Sequence, residues 1–147
     1  MRKAMTKVAL GFALVVSSPA LAADPLRELV PLRDVFGTPG QSPGWDVAGI
    51  RCAGLIYAQE SWRQDNGGSG PSKKLLDAAA DGLELSVYHR TGLGQSLTTA
   101  TISVEDDFHV VYALYMDRFT ANDKRGHPWS GDSLLRGDQG YCKVALQ

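Results

Sequence analysis

A chain of 147 residues with a formal net charge of −1 has the size of one domain and lacks the excess of cations that nucleic-acid binding requires. Residues 1–22 contain three of the 15 basic residues and no acid, so without them the chain would carry 12 basic and 16 acidic residues, a net charge of −4. That mild acidity also argues against docking on an anionic membrane surface.

Residues 1–22 have the three parts of an export signal. A basic start over 2–7 precedes an apolar run over 8–16 that is too short to span a bilayer. Ser17, Ser18 and Pro19 break the run, and Ala-Leu-Ala at 20–22 then supplies the small-x-small pattern that signal peptidase requires. We therefore predict cleavage after Ala22 and a periplasmic location. A retained membrane anchor is the competing interpretation, but it would need about 20 apolar residues. The mature protein is then a single domain over 23–147.

Cys52 and Cys142 are the only cysteines, and an exported chain enters an oxidising compartment. We predict that they form a disulfide, with two buried free thiols as the alternative. For residues so far apart in sequence, the chain-entropy model gives about 4.5 kcal/mol as an upper figure for the stabilisation.

The first half of the mature chain begins with a short helical segment capped by Asp24 and interrupted by Pro31. A Gly- and Pro-rich turn leads into a helix over about 42–64, whose small residues at Gly49 and Gly54 would let other helices approach closely. Apolar residues recur in this helix at steps of three and four, which is one helical face: Trp45, Ala48, Cys52, Leu55 and Ile56.

A second helix begins at Ser72, with apolar residues at helical spacing to about Arg90. A rival interpretation exists for residues 83–104, because an alternating run over 83–88 and a Thr-, Ile- and Val-rich run over 97–104 flank a Gly-containing turn. We favour helices, since an isolated hairpin without a third strand is only marginally stable. An α+β fold with a hairpin at 83–104 is the alternative.

The clearest helix covers 106–119, with acidic residues at its start that complement the helix dipole. After a break at 126–131, Asp132 caps a short turn, and Asp138 is predicted to cap a final helix that contains Cys142. The predicted fold is therefore all-α, a four-helix antiparallel bundle with short end helices, tied by one disulfide.

Two segments of the chain resemble segments of uncharacterised small exported bacterial helical proteins with two cysteines. They are Arg-Cys-Ala-Gly-Leu-Ile-Tyr at 51–57 and Gly-Asp-Ser-Leu-Leu-Arg-Gly-Asp at 131–138, with Cys142 four residues beyond the second. The resemblance covers the two cysteine regions, and it implies an all-helical fold without indicating an activity.

Glu105, Asp106 and His109 are the best candidates for metal ligands, because residues three and four apart share one face of a helix. Carboxylate-bridged metal sites in helical bundles need a matching set of ligands on a second helix. No second set exists, and His89 and His127 lie in other segments. A solvated acidic helix start is the favoured interpretation, and no metal or cofactor is predicted.

Motifs for the common catalytic chemistries are missing from the sequence. Neither cysteine belongs to a Cys-x-x-Cys-His or Cys-x-x-Cys pattern, and Gly68-Ser69-Gly70 has no preceding apolar strand, unlike a hydrolase nucleophile turn. Trp129 lies in a predicted loop, where it is either a binding anchor or a plug over one end of the bundle.

These observations predict a non-enzymatic exported protein that binds another periplasmic protein, as an inhibitor, an immunity protein or an envelope-stress protein would. The alternative is a helical bundle that binds a small ligand or a metal. Nucleic acid is not an expected partner, and neither is the membrane once the signal is removed.

Overall fold

The computed structural model describes residues 24–39, 44–127 and 129–147, and the predicted signal over 1–22 lies outside these ranges. Within them the chain forms helices and no strand, which confirms the all-α prediction. The helices are α1 (Leu32–Phe36), α2 (Trp45–Asn66), α3 (Lys73–Gly92), α4 (Leu97–Asp123) and α5 (Ser133–Ala145).

The alternative with a hairpin at 83–104 is wrong, because Ser96 starts a helix where the β-branched run suggested a strand. Its hydroxyl oxygen accepts a hydrogen bond from the N–H of Thr99 at 3.1 Å and so caps α4. The Thr101 hydroxyl is also bonded within the helix, to the carbonyl of Leu97 at 2.9 Å. Capping and packing thus outweigh the low helix propensity of this Thr-rich stretch.

Helix α2 is the centre of the fold, and α3 and α4 both pack against it. The predicted apolar face begins at Ala48, since Trp45 at the start of α2 is 45 % exposed. The largest fully buried apolar side chains are Tyr115, Phe119, Leu32, Ile50, Leu55, Leu135 and Val111. No helix in the described ranges combines the length and apolar character needed to cross a membrane.

Glycines at the two crossings of α2 let the neighbouring helices approach closely. A Cβ added to Gly49 would lie 2.9 Å from the carbonyl oxygen of Gly82 in α3, and one added to Gly54 would clash with Val111 in α4. Asp46, one turn before Gly49, contacts Ser86, one turn after Gly82, so α2 and α3 run antiparallel.

We expect the substitution Gly49→Ala to lower the free energy of unfolding by up to about 2 kcal/mol. Alanine favours a helix interior by about 1 kcal/mol, but overpacking against backbone costs about 1–3 kcal/mol. Gly140→Ala in α5 is the matched control, because a Cβ there meets nothing within 4 Å, and it should stabilise by about 0.5–1 kcal/mol. Urea denaturation measures both, and equal stabilities of the two variants would contradict the close approach.

The predicted disulfide is confirmed: Cys52 and Cys142 are bonded, and both are buried. The bond fastens α5 to the middle of α2. The predicted start of the last helix is wrong, because α5 begins at Ser133 and is capped by Asp132, whose carboxylate accepts from the N–H groups of Leu134 and Leu135. Asp138, predicted as a cap, lies inside α5.

Candidate functional site

The predicted metal candidates lie on the exposed side of α4. The side chains of Glu105 and His109 are about two-thirds exposed and 3.8 Å apart, and Asp106 is exposed as well. Within the described ranges, no three His, Cys, Asp or Glu side chains are close enough to share a metal. The structure therefore brings two of the three candidates together, and the residues it describes supply no third ligand to them.

Trp129 is partly buried and packs against the core, although it follows α4 in a loop. Its ring meets Trp62 edge-on with centroids 6.1 Å apart, and meets Phe119 at right angles with centroids 5.7 Å apart. This packing matches the plug alternative, in which Trp129 covers one end of the bundle.

The most concentrated polar chemistry is buried, in a network that joins α2, α4 and α5. The guanidinium of Arg51 donates to the Asp138 carboxylate at 2.9 Å and to the Tyr115 hydroxyl at 2.9 and 3.1 Å. The Tyr115 hydroxyl in turn donates to Asp138 at 2.7 Å. Burial raises the pKa of the Tyr115 hydroxyl, which keeps it protonated and able to donate.

The same network holds the segment before α1 against the bundle. Arg51 donates to the carbonyls of Pro25 at 2.8 Å and Val30 at 3.0 Å. Asp138 accepts from the N–H of Leu32 at 2.8 Å. Because these side chains are closed off from solvent and satisfied by one another, the network is suited to stabilising the fold rather than to reacting with a substrate.

A second ion-pair network lies at the carboxyl end of α3, around Arg90. Arg90 is 8 % exposed and donates to Asp107 at 2.7 Å, while the other oxygen of Asp107 accepts from Arg27 at 2.8 Å. Arg90 also lies 3.5 Å from the Asp46 carboxylate and donates to the Ser103 hydroxyl at 2.8 Å. Its charge is therefore directed inward and compensated.

The loop before α5 is fixed by Asp132. Arg118 donates to its carboxylate at 2.7 and 3.0 Å, and the Asn122 amide donates at 2.6 Å. Burial alone would raise the pKa of Asp132, but these hydrogen bonds and the N–H of Leu135 stabilise the charged form and lower the pKa to about 2.

We expect acid to remove the stabilisation that Asp132 provides. Because its pKa of about 2 in the folded state is below the value of about 3.9 in an unfolded chain, the contribution is complete above about pH 4 and is lost as the pH falls towards 2. In thermal unfolding at a series of pH values, Asp132→Asn should show a smaller decrease over that interval than the wild type. Asp123→Asn, at an exposed position, should keep the wild-type pH dependence; the same flattening in both variants would contradict the assignment.

A cleft beside the disulfide is the best candidate for a small-ligand site. It has a volume of about 270 Å³, just below the roughly 300–1,000 Å³ that is usual for ligand pockets. Apolar and amide side chains line it together with Lys143: Leu55, Ile56, Gln59, Pro71, Leu75 and Gln139. None of the polar side chains in this cleft is deeply buried.

A groove between α3 and α4, here called the α3–α4 groove, is lined mainly by apolar side chains. It exists because α3 and α4 pack mainly on α2 and less on each other. Its volume is about 210 Å³. Its lining is Leu83, Glu84, Val87, Thr101, Val104, Glu105 and Phe108.

Exposed apolar side chains are concentrated in the stretch of sequence that also supplies the groove lining. Nine large apolar residues in the described ranges are exposed, and five of them lie between residues 85 and 102. These five are Leu85, Tyr88, Leu93, Leu97 and Ile102. Tyr88 follows Glu84 by one turn of α3, and Leu97 precedes Thr101 by one turn of α4, so both extend the groove lining. We call the groove with Tyr88 and Leu97 the α3–α4 surface.

Sequence reasoning singled out neither this surface nor the buried network. Arg51 lies one turn from Ala48 and from Leu55, so a cation within an apolar stripe was the available signal for the network. For the α3–α4 surface, the available signal was the apolar residues between 85 and 102 that do not belong to the buried faces of α3 and α4.

Comparison with protein-family models, with curated protein sequences and with solved structures finds no match for this chain. Its function has to be inferred from its own residues.

Proposed function

We propose that this protein is an exported, non-enzymatic binding protein of the periplasm and that it binds another protein through the α3–α4 surface. The single observation that carries the proposal is the concentration of exposed large apolar side chains on residues 85–102 beside an apolar groove. Contiguous exposed apolar surface in a folded domain typically marks an interaction site.

The disulfide supports the exported location. A bond between Cys52 and Cys142 persists in an oxidising compartment and is uncommon in the cytosol. It agrees with the export signal predicted over 1–22.

The buried polar groups support a role in binding rather than in catalysis. Arg51, Tyr115 and Asp138 are saturated by one another and by backbone carbonyls, so they are not available to a substrate. A rigid helical scaffold that presents one apolar surface is typical of proteins that bind a helix or a loop of a partner.

Site-specific photo-cross-linking in cells that produce the protein tests the proposal. A benzophenone side chain at Leu97, which is 63 % exposed, should form one discrete adduct with a second protein. The same group at Val144, which is 60 % exposed on α5, is the matched control and should form none.

The substitution Tyr88→Asp should then remove the adduct from position 97, because it places a charge on the apolar surface. Equal adducts from positions 97 and 144, or persistence of the adduct in the Tyr88→Asp variant, would contradict the proposal. The absence of any adduct at position 97 would overturn it.

A further inference from the structure

We infer that the α3–α4 groove receives a basic amphipathic helix of the partner protein, an inference that rests on the proposed function and adds the chemistry of the partner. Its basis is an apolar groove floor flanked by two carboxylates that, among the described residues, pair with no lysine or arginine.

The floor of the groove is apolar and only partly covered. Leu83, Val87 and Phe108 are partly buried and Val104 is almost fully buried, so the groove is open to solvent along side chains that contain no polar atom. A groove between two helices is the usual receptor for the apolar face of a third helix. A helix also satisfies its own backbone groups, so it can bury an apolar face there without leaving unpaired amides.

The edges of the groove are acidic on both sides. Glu84 lies on the α3 side and Glu105 on the α4 side. Among the described residues, no lysine or arginine lies within ion-pair distance of either carboxylate; the nearest partner of Glu105 is His109, at 3.8 Å. An incoming cation could therefore pair with either edge without displacing another cation of this chain.

The charge pattern extends over both helices. From residue 75 to residue 117 the sequence contains seven carboxylates and a single cation, Arg90. Arg90 is directed inward and held by Asp107 and Asp46. Two of the seven carboxylates are paired with cations, Asp77 with Lys73 and Asp107 with Arg27 and Arg90. Among the described residues, Glu84 and Glu105 at the groove have no lysine or arginine partner.

This pattern selects among possible occupants. A second copy of the same surface would place carboxylates against carboxylates, and like charges brought together across an interface oppose binding. A partner helix with lysine or arginine beside its apolar stripe would meet Glu84 and Glu105 while its apolar side chains entered the groove. Opposite charges of this kind also raise the rate of association.

Binding of synthetic helices to the full-length oxidised protein tests the inference. The probes are a fluorescent Lys/Leu amphipathic peptide of about 18 residues, about 27 Å long as a helix, its Glu/Leu counterpart, and a Lys/Leu peptide of scrambled order. Fluorescence anisotropy should give a Kd for the amphipathic Lys peptide that is at least roughly tenfold lower than for either of the others. Binding of the amphipathic Lys/Leu peptide should weaken several-fold between about 0.1 and 1 M salt, because the Debye length falls from about 10 to 3 Å.

Charge reversal at the groove supplies the decisive comparison. The double variant Glu84→Lys/Glu105→Lys should bind the Glu peptide in preference to the Lys peptide. The double variant Asp117→Lys/Asp123→Lys changes the net charge equally, away from the groove, and should keep the wild-type preference. Val87→Lys, at a partly buried position of the floor, should weaken binding of the Lys peptide by at least roughly tenfold. Circular dichroism verifies that each variant is folded.

The outcomes separate this inference from the proposed function. Equal binding of the scrambled and amphipathic Lys peptides, or equal effects of the two double variants, would mean attraction by net charge alone and would overturn the inference. A cross-linked partner at Leu97 without binding of the Lys peptide would also overturn it while leaving the proposed function in place. Concentration-dependent dimerisation blocked by Tyr88→Asp would identify a second copy as the occupant and overturn it as well.

Discussion

Replacing Asp138 with alanine should lower the free energy of unfolding by about 3–5 kcal/mol, because a buried ion pair is broken and one charge is left uncompensated. Asp138 is fully buried and accepts from Arg51, from Tyr115 and from the N–H of Leu32. Urea denaturation followed by far-ultraviolet circular dichroism measures the loss. Asp106→Ala, at an exposed aspartate of α4, is the matched control and should change stability by no more than about 0.5 kcal/mol.

A milder variant tests the same network if Asp138→Ala does not fold. Tyr115→Phe removes only the hydroxyl that accepts from Arg51 and donates to Asp138, and should cost roughly 1–3 kcal/mol. The double variant Arg51→Met/Asp138→Leu should recover part of the loss from Asp138→Ala, since apolar residues can replace a buried pair. A loss from Asp138→Ala no larger than that from Asp106→Ala would contradict the role assigned to this carboxylate.

Breaking the disulfide should cost about 2–5 kcal/mol, close to the upper figure of about 4.5 kcal/mol from the chain-entropy model. The bond joins residues 90 positions apart and connects α5 to the middle of α2. The measurement is the urea midpoint of the wild type with and without reductant. Equal midpoints in the two states would contradict the prediction.

The double variant Cys52→Ala/Cys142→Ala separates the covalent bond from the packing of the sulfur atoms. Both cysteines are buried, so the variant also removes apolar contacts and should be less stable than the reduced wild type. Its stability should not respond to reductant. In the wild type, purified without reductant and then denatured, alkylation should label no thiol. Two labelled thiols in the wild type would contradict the pairing of Cys52 with Cys142.

The helices and the disulfide could be predicted because their causes are local. Apolar spacing in α2, the cap at Ser72 and the count of two cysteines each depend on residues near one another in sequence or on composition alone. The continuous helix α4 was harder, because its Thr-rich start favours extended structure and only the cap at Ser96 and packing on α2 reverse that preference.

The buried network and the α3–α4 surface could not be predicted, because each depends on contacts between distant residues. Asp138 had the sequence context of a helix cap, and its burial depends on Arg51, which is 87 positions earlier. The acids at 105–107 were interpreted as a solvated helix start, with a metal site as the alternative. They lie inside α4, which begins at Leu97, and the structure directs Asp107 to two arginines and leaves Glu105 at the edge of a groove. Tertiary packing decides which carboxylates form buried ion pairs and which face solvent.

The long sequence separation between Arg51 and Asp138 also affects the order in which parts of the chain can fold during synthesis. Asp138 and the disulfide at Cys142 are both far downstream, and the ribosome delivers the chain from its amino end. The ion pair requires residue 138 and the disulfide requires residue 142, so the core is completed only after α5 has been made. A chain that ended before residue 138 would leave Arg51 without its carboxylate partner, so we expect it to be less stable than the full chain.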